Sequence, residues 1–278
     1  SFSKAAEAMN FTQSGISHAI NSLEGELGVT LLSRNRGGAV LTADGRALLP
    51  QIEKLCAAHH TMMQTVESLK GMDSGLVKVA TFSSVSFLWL PRILKSFGQI
   101  YPNIEFEVIT GDYYEQIESW IVSGAVDCGF FRLPSTKHLQ TYPLYRDELQ
   151  VVVPCDHVYA QEDPFPASEL AEEPFILLEE GEDYEIMAAF DKLGIRPHVK
   201  YTAREDRTIL AMVSEGLGIS LLPRLMVSHS PLPVQVCRAP LQFDRTIGIG
   251  VKDEKALSKS TRLFVDYVRT WVAENGDK

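Results

Sequence analysis

The sequence predicts a mixed α/β chain in three parts: a helix-turn-helix with a hairpin wing, one long helix, and a pair of similar α/β subdomains. Three observations carry this. Apolar residues recur at three- and four-residue steps through the first 27 positions and then give way to an Arg- and Gly-rich hairpin signal. A heptad seam runs from Leu48 to Leu69. From Leu76 onward, apolar strands alternate with helical stretches, the order of a parallel sheet with helical crossovers.

Residues 1–41 form the first part. Ser3 can cap a short helix through about Met9, and Asn10 and Phe11 make a turn. Thr12 can cap a second helix, because its hydroxyl accepts from an unpaired first-turn N–H. On that helix Ile16, Ala19, Ile20, Leu23 and Leu27 are expected to form one buried face. With Thr12 at its start, the opposite face carries Gln13, Ser14, Ser17, His18 and Asn21, polar and almost free of carboxylates. A helix entering the major groove of double-stranded DNA needs such a face, since Gln and Asn can pair with adenine edges and Ser with phosphate or base. Arg34-Asn35-Arg36-Gly37-Gly38 then sits between Leu31-Leu32 and Val40-Leu41, and Gly-Gly permits the positive φ of a tight hairpin. Arg34 and Arg36 at its tip suit phosphate contacts, which position a protein without reading sequence.

Residues 42–71 form the second part. Leu48, Ile52, Leu55, His59, Met62, Val66 and Leu69 alternate in steps of four and three. Thirty helical residues span about 45 Å, too long for a small domain to cover, so the helix is expected to pair with a second copy. Pro50 either bends it or marks its first turn. His59 on the seam is a polar register residue or a pH sensor.

The third part follows a polar break at 71–75. Strands are expected at Leu76–Phe82, Ile104–Thr110 and Val126–Phe131, with helices at Phe87–Tyr101 and Tyr113–Ser123. A second unit carries strands at Leu149–Val153, Phe175–Leu178, Val199–Thr202 and Ile219–Leu222, with helices at Tyr184–Leu193 and Asp206–Glu215. Thr246–Val251 returns as a strand to the first unit, and Leu257–Ala273 closes the chain as an amphipathic helix with Leu263, Phe264, Tyr267, Val268 and Trp271 inward. The subdomains are thus 75–147 with 251–278, and 148–250. Two such units joined by two crossings resemble the type 2 periplasmic binding proteins, whose ligands sit beyond the carboxyl ends of the strands.

Charge is unevenly divided. Residues 1–71 hold six Lys/Arg and six Asp/Glu, while 72–278 hold 20 and 30, so the net −10 lies wholly in the C-terminal part. That part would be repelled by DNA, and the neutral N-terminal part must rely on local basic points and on a doubled set of contacts in a dimer. No stretch approaches the ~18 apolar residues of a membrane span. Cys56, Cys128, Cys155 and Cys237 are scattered, which suggests neither zinc nor a disulfide framework. Cytoplasmic residence is the default, and no cofactor or metal is expected.

The order A-A-E-A-M (5–9), T-Q-S-G-I-S-H-A-I (12–20), L-E-G-E-L-G-V-T-L-L-S-R (23–34) and L-T-A-D-G (41–45) resembles the N-terminal domain of LysR-type transcriptional regulators, with Leu32 where Phe is usual. The resemblance continues through L-P-R-I-L-K-S-F (90–97), Y-P-N-I-E (101–105), G-A-V-D-C-G-F (124–130) and V-S-E-G-L-G-I-S-L-L-P (213–223). It implies a DNA-binding regulator with a periplasmic-binding-protein-like effector domain, dimerised by its linker helix and usually tetrameric. Its DNA partner would be an interrupted dyad operator, with RNA polymerase a further candidate partner. The family places another helix of about 15 residues before Ser1, so the natural N-terminus is expected to lie upstream.

The pocket is placed from strand ends. Ser83 and Ser84 follow strand one, where hydroxyls and N–H groups can hold an anion or Ser86 can simply cap the helix. Gly111 and Phe131 stand at the ends of the next two strands, and the resemblance implies that Arg132 faces an acidic effector. Across the cleft, Glu179, Glu180 and Gly181 either favour an amine or zwitterion, pair with Arg132, or form a solvated acidic loop. Tyr201 and Thr202 are expected on another wall.

An enzyme is disfavoured because P-loop, G-x-G-x-x-G, G-x-S-x-G and H-E-x-x-H patterns are all missing. A solute-binding protein would fit the C-terminal part but leave the helix-turn-helix and heptad helix without purpose. A disulfide switch, which some family members use, is disfavoured because Cys155 and Cys237 lack a flanking basic cluster.

Overall fold

A computed structural model describes residues 1–35, 38–69, 74–179, 185–228 and 230–276. The chain divides into two compact units, Ser1–His60 and Thr61–Lys278.

In the first unit, α1 (Phe2–Ala8) is capped by Ser1, whose hydroxyl accepts from the Lys4 N–H at 3.3 Å. The expected cap, Ser3, lies inside the helix. The earlier start adds the Ala5 N–H to Ser1 carbonyl bond, which a helix beginning after Ser3 would forgo. Asn10 takes φ +55° at the turn, a conformation Asn tolerates better than most residues. Thr12 caps α2 (Gln13–Leu27), accepting from the Gly15 N–H at 3.0 Å. The apolar face of α2 is less covered than its periodicity implies. Ile16 and Ile20 are half-buried, whereas Ala19, Leu23 and Leu27 are exposed.

The strands β1 (Leu32–Asn35) and β2 (Gly38–Leu41) pair antiparallel, Leu32 with Leu41 and Asn35 with Gly38. Arg36 and Gly37 lie outside the described residues. The Glu24 carboxylate, one turn before the end of α2, accepts from the Leu31 and Leu32 N–H groups at 2.6 and 3.0 Å and so ties the wing to the helix. Helix α3 (Ala43–Leu69) begins at Thr42, whose hydroxyl accepts from the Gly45 N–H, and it contains Pro50 in its interior. A Cβ at Gly45 would stand 2.1 Å from the Leu31 carbonyl oxygen, which explains the glycine that closes the L-T-A-D-G run.

In the second unit the elements follow as β3 (Gly75–Thr81), α4 (Ser83–Leu88), α5 (Leu90–Ile100), β4 (Ile104–Thr110), α6 (Tyr114–Ser123), β5 (Cys128–Leu133), β6 (Gln140–Pro154), α7 (Glu169–Glu172), β7 (Pro174–Leu178), α8 (Glu185–Leu193), β8 (His198–Ala203), α9 (Asp206–Ser214), β9 (Ser220–Pro223), α10 (Arg224–Val227), β10 (Val234–Arg238), β11 (Asp244–Val251) and α11 (Lys259–Asn275). One sheet runs β10-β6-β11-β5-β3-β4 with β9 also on β6, and β7 pairs with β8. Strands β4, β3 and β5 are parallel, while β11 runs antiparallel to β5 and β6.

The expected single helix at 87–101 is two. Buried Trp89 breaks it, packed edge-on against Tyr145 at 5.4 Å, and Pro91 restarts it in the first turn of α5, where a missing N–H costs nothing. The larger surprise is β6, fifteen residues long where only Leu149–Val153 was expected. Its first half, Gln140–Glu148, is polar and contains Pro143, so it lacks a strand's apolar signature. Pairing with β11 along the whole of Asp244–Val251 makes it a strand. The crossing between subdomains is therefore this two-stranded ladder.

Two cores result. One surrounds Phe97, Phe130, Phe131, Ile93 and Phe264; the other surrounds Phe165, Phe175, Phe190, Val151 and Leu222. Gly218 holds the second together with φ +155°, and a Cβ there would meet the Pro174 carbonyl oxygen at 2.2 Å. That contact lets Ile219 exchange hydrogen bonds with Pro174 and Ile176.

Candidate functional site

Two surfaces carry the residues singled out above, one in each unit. In the first, Gln13, Ser14 and Ser17 of α2 line a cavity of about 420 Å³ with Ser1, Phe2 and Ser3 at the start of α1 and Gly38 and Ala39 of the wing. Gln13, Ser14, His18 and Asn21 are exposed and Ser17 is half-buried. Thr12 is committed to capping and also lies 3.0 Å from the Ser14 hydroxyl, so it orients the helix start. Arg34 belongs to β1, and Arg36 falls outside the described residues.

In the second unit a cleft of about 150 Å³ opens between the subdomains. One wall comes from Phe82, Ser83 and Ser84 after β3 and from residues 110–114 after β4. The facing wall comes from Leu178 at the end of β7, from Glu179 just beyond it, and from residues 204–207 after β8. Parallel strands thus present their carboxyl ends from both sides, the usual seat for a ligand in such sheets. Arg245 also lines the cleft.

Arg245 is almost wholly buried, and so is Asp147, its partner across the β6–β11 ladder at 2.9 Å. Its guanidinium also donates to the Tyr114 hydroxyl at 2.7 Å and the Ser84 hydroxyl at 3.1 Å. The second Asp147 oxygen accepts from the Leu225 N–H at 2.9 Å. One cation therefore links both crossing strands to the wall of the first subdomain. Asp206, only 5% exposed, accepts from the Ser83 hydroxyl at 2.7 Å across the cleft. Burial pushes its carboxyl above the usual value, against the Ser83 hydrogen bond and the Arg245 charge, which pull it down. At the rim, Arg204 donates to Glu179 at 3.1 Å.

Of the residues expected in the pocket, Ser83, Ser84, Gly111 and Glu179 line this cleft, while Glu180 and Gly181 lie outside the described residues. Phe131 is fully buried in β5, its ring closing over Gly250. Arg132, its neighbour in β5, lines a second cavity of about 350 Å³ that shares Arg245 with the cleft and includes Pro134, Lys192, Phe243, Asp244 and Thr246; its guanidinium carbon lies 5.9 Å from the Tyr114 ring centre. Tyr201 and Thr202 sit within the β8 ladder against Ile176 and Leu177; the cleft wall begins at Arg204, beyond the end of that strand.

Sequence reasoning missed Arg245, Asp147 and Asp206. A signal for the first was present. The period of two that puts Ile247, Ile249 and Val251 inside puts Arg245 inside as well.

Among the described residues no helix is long and apolar enough to cross a membrane, and no group of three His, Cys, Asp or Glu could hold a metal ion.

Comparison with known proteins adds family to geometry. Residues 1–46 match the bacterial regulatory helix-turn-helix proteins of the lysR family, and residues 70–273 match the LysR substrate binding domain. The chain is 32% identical to the probable HTH-type transcriptional regulator LrrA of Synechococcus elongatus, over 98% of this chain and 92% of the relative. It is 30% identical to the uncharacterized HTH-type transcriptional regulator YvbU of Bacillus subtilis, over 97% and 92%. Full-length CbnR, solved in complex with its target DNA, shares the fold at TM-score 0.73 and 21% identity, covering 97% of this chain and 93% of that one.

Proposed function

We propose a mode of action from one premise: the chain belongs to the LysR family and is a DNA-binding regulator of transcription. Gln13, Ser14, Ser17, His18 and Asn21 read base edges, and Arg34 and Arg36 of the wing hold phosphate. A small-molecule effector occupies the cleft lined by Ser83, Ser84, Gly111, Glu179, Asp206 and Arg245. Two copies pair along the apolar stripe of α3, which leaves Leu55, Met62, Met63 and Val66 exposed in the single chain. Such a dimer, or a tetramer of two, places paired reading helices on an interrupted dyad in the cytoplasm, within reach of RNA polymerase.

The observation that carries the effector reading is the Ser83–Asp206 hydrogen bond, which joins the two subdomains across the cleft. A ligand that bonds to either group competes with this contact, and Arg245 links the same wall to both strands of the β6–β11 ladder. Cleft occupancy is thereby coupled to the angle between subdomains. The ligand shifts that angle only if it binds the two arrangements with different affinity. DNase footprinting on genomic fragments captured by the protein, with and without metabolites that raise its melting temperature, tests this. A ligand that binds the cleft should lengthen, shorten or move the footprint; footprints unchanged by every such ligand would sink the effector-coupled mechanism.

A further inference from the structure

We propose that the cleft takes a small ligand bearing a protonated amine, seated on the Asp206 carboxylate between the Ser83 and Tyr113–Tyr114 wall and the start of α9. This rests on the cleft being the effector site and adds the ligand's chemical class.

The charges of the cleft point this way. Its described lining holds four carboxylates, Asp112, Glu179, Glu205 and Asp206, against three guanidiniums, Arg204, Arg207 and Arg245. Two of the guanidiniums already hold carboxylates, and the third stacks on a ring. Arg245 is bonded to buried Asp147, Arg204 to Glu179 with Asp112 also acting on it, and Arg207 lies over the Phe87 ring. A ligand carboxylate would have to compete with Asp147 for Arg245 and with Glu179 for Arg204. The start of α9 carries the Asp206 carboxylate in its first turn, whose negative charge opposes an anion there.

Asp206 is different from the other three acids. It is buried, and its hydrogen bond comes from a neutral hydroxyl. The charge of nearby Arg245 favours its anion, but Asp147 beyond opposes it. A buried carboxylate in this position gains most from a donor that brings its own positive charge. Aromatic rings stand beside it. Phe82 and Tyr114 meet edge-to-face at 5.1 Å and Tyr113 lies next to them, and ring faces attract cations, as the Arg245 guanidinium carbon 5.2 Å from the Phe82 ring centre illustrates. A cavity of about 150 Å³ suits a molecule of a few heavy atoms. An ammonium reaching Asp206 competes with Ser83 for the same carboxylate, which gives the ligand a direct hold on the contact joining the subdomains.

The test uses the full chain and three four-carbon probes that differ in charge: butylamine, 4-aminobutyrate and butyrate. Melting temperature is followed for the parent, Asp206→Asn and Ser83→Ala. The expected result is a rise with butylamine or 4-aminobutyrate and none with butyrate. In Asp206→Asn, whose amide can still accept from Ser83, amine affinity should fall roughly thirtyfold or more. Ser83→Ala should bind the amine at least as tightly as the parent, since a competitor for the carboxylate is gone. A rise with butyrate alone overturns the amine and leaves the cleft as effector site standing. An amine effect unchanged in Asp206→Asn, or lost in Ser83→Ala, overturns the role of Asp206. No rise with any probe overturns the ligand class, and the footprinting above then judges the cleft separately.

Discussion

Between Ser1 and Leu69, the buried hydrophobic residues among those described are Ala6 and Leu31, whereas from Val77 onward the chain closes two cores around Phe97 and Phe175. The N-terminal unit leaves Phe11, Leu23, Leu27, Val40, Leu49 and Leu55 exposed. The C-terminal unit instead buries even charged groups, Arg245, Asp147, Asp206 and Glu118. The difference teaches how to read each part. Exposed apolar residues at regular helical spacing speak of surfaces completed by another molecule, while buried charges beside a cleft speak of internal geometry held at an energetic cost. The first unit is best probed through its partners and the second through its own stability.

The strongest way to break the contrast is to unbalance the second unit from within. Arg245→Met leaves Asp147, which has no exposed surface, beside the Leu225 N–H without its guanidinium. A loss of ~3–5 kcal/mol is expected in urea unfolding, and Asp147→Leu added to it should restore most of that. Arg146 and Asp244 provide the control. They pair on the opposite face of the same two strands, with Arg146 two-thirds exposed, so Arg146→Ala should be nearly silent. Equal losses from the two arginines would show that burial is not what separates them.

On the first unit the largest effect is expected in assembly. Leu55 is 71% exposed in the single chain and sits mid-stripe on α3. Burying such a side chain contributes about 1.5–3 kcal/mol per copy. Leu55→Asp should therefore shift sedimentation toward the monomer with the circular dichroism of the effector unit unchanged; an unaltered oligomer would place the pairing surface elsewhere. Gln13→Ala should act more narrowly. Binding to the true operator is expected to weaken by ~1–3 kcal/mol with random DNA nearly unaffected, and an equal loss on both would make Gln13 a backbone contact.

What was legible in the sequence follows the same divide between local and distant causes. The Thr12 cap and β4 at Ile104–Thr110 fell where local chemistry placed them, because a hydroxyl cap and a bounded apolar run are decided within a few residues. The glycines at 45 and 218 stand in the family-like runs, but the carbonyls that require them, at Leu31 and Pro174, are distant in sequence. The first half of β6 was invisible, since its strand character comes from β11 a hundred residues later. The cleft was half legible for a related reason. Strand ends located Ser83, Ser84, Gly111 and Glu179, but nothing local says which face of β5 Phe131 and Arg132 present, or that Asp147 meets Arg245.

The smallest expected effect is also the most diagnostic of how the second unit holds its buried acid. The Asp206 carboxyl is pushed up by burial, so between its ordinary and its raised value the folded chain keeps a proton that the unfolded chain has released. Stability from this group is therefore full below the ordinary carboxylate value, falls as pH rises through the folded one, and is level above it. Asp206→Asn carries no such proton. Relative to the parent it should gain stability progressively across that window, read from urea midpoints at a series of pH values; parallel curves would mean that Asp206 ionises in the fold as it does in the open chain. The same window bears on the ligand. An ammonium favours the ionised carboxylate, so butylamine should bind more tightly as pH rises through it, in the direction opposite to the fall in stability of the empty protein.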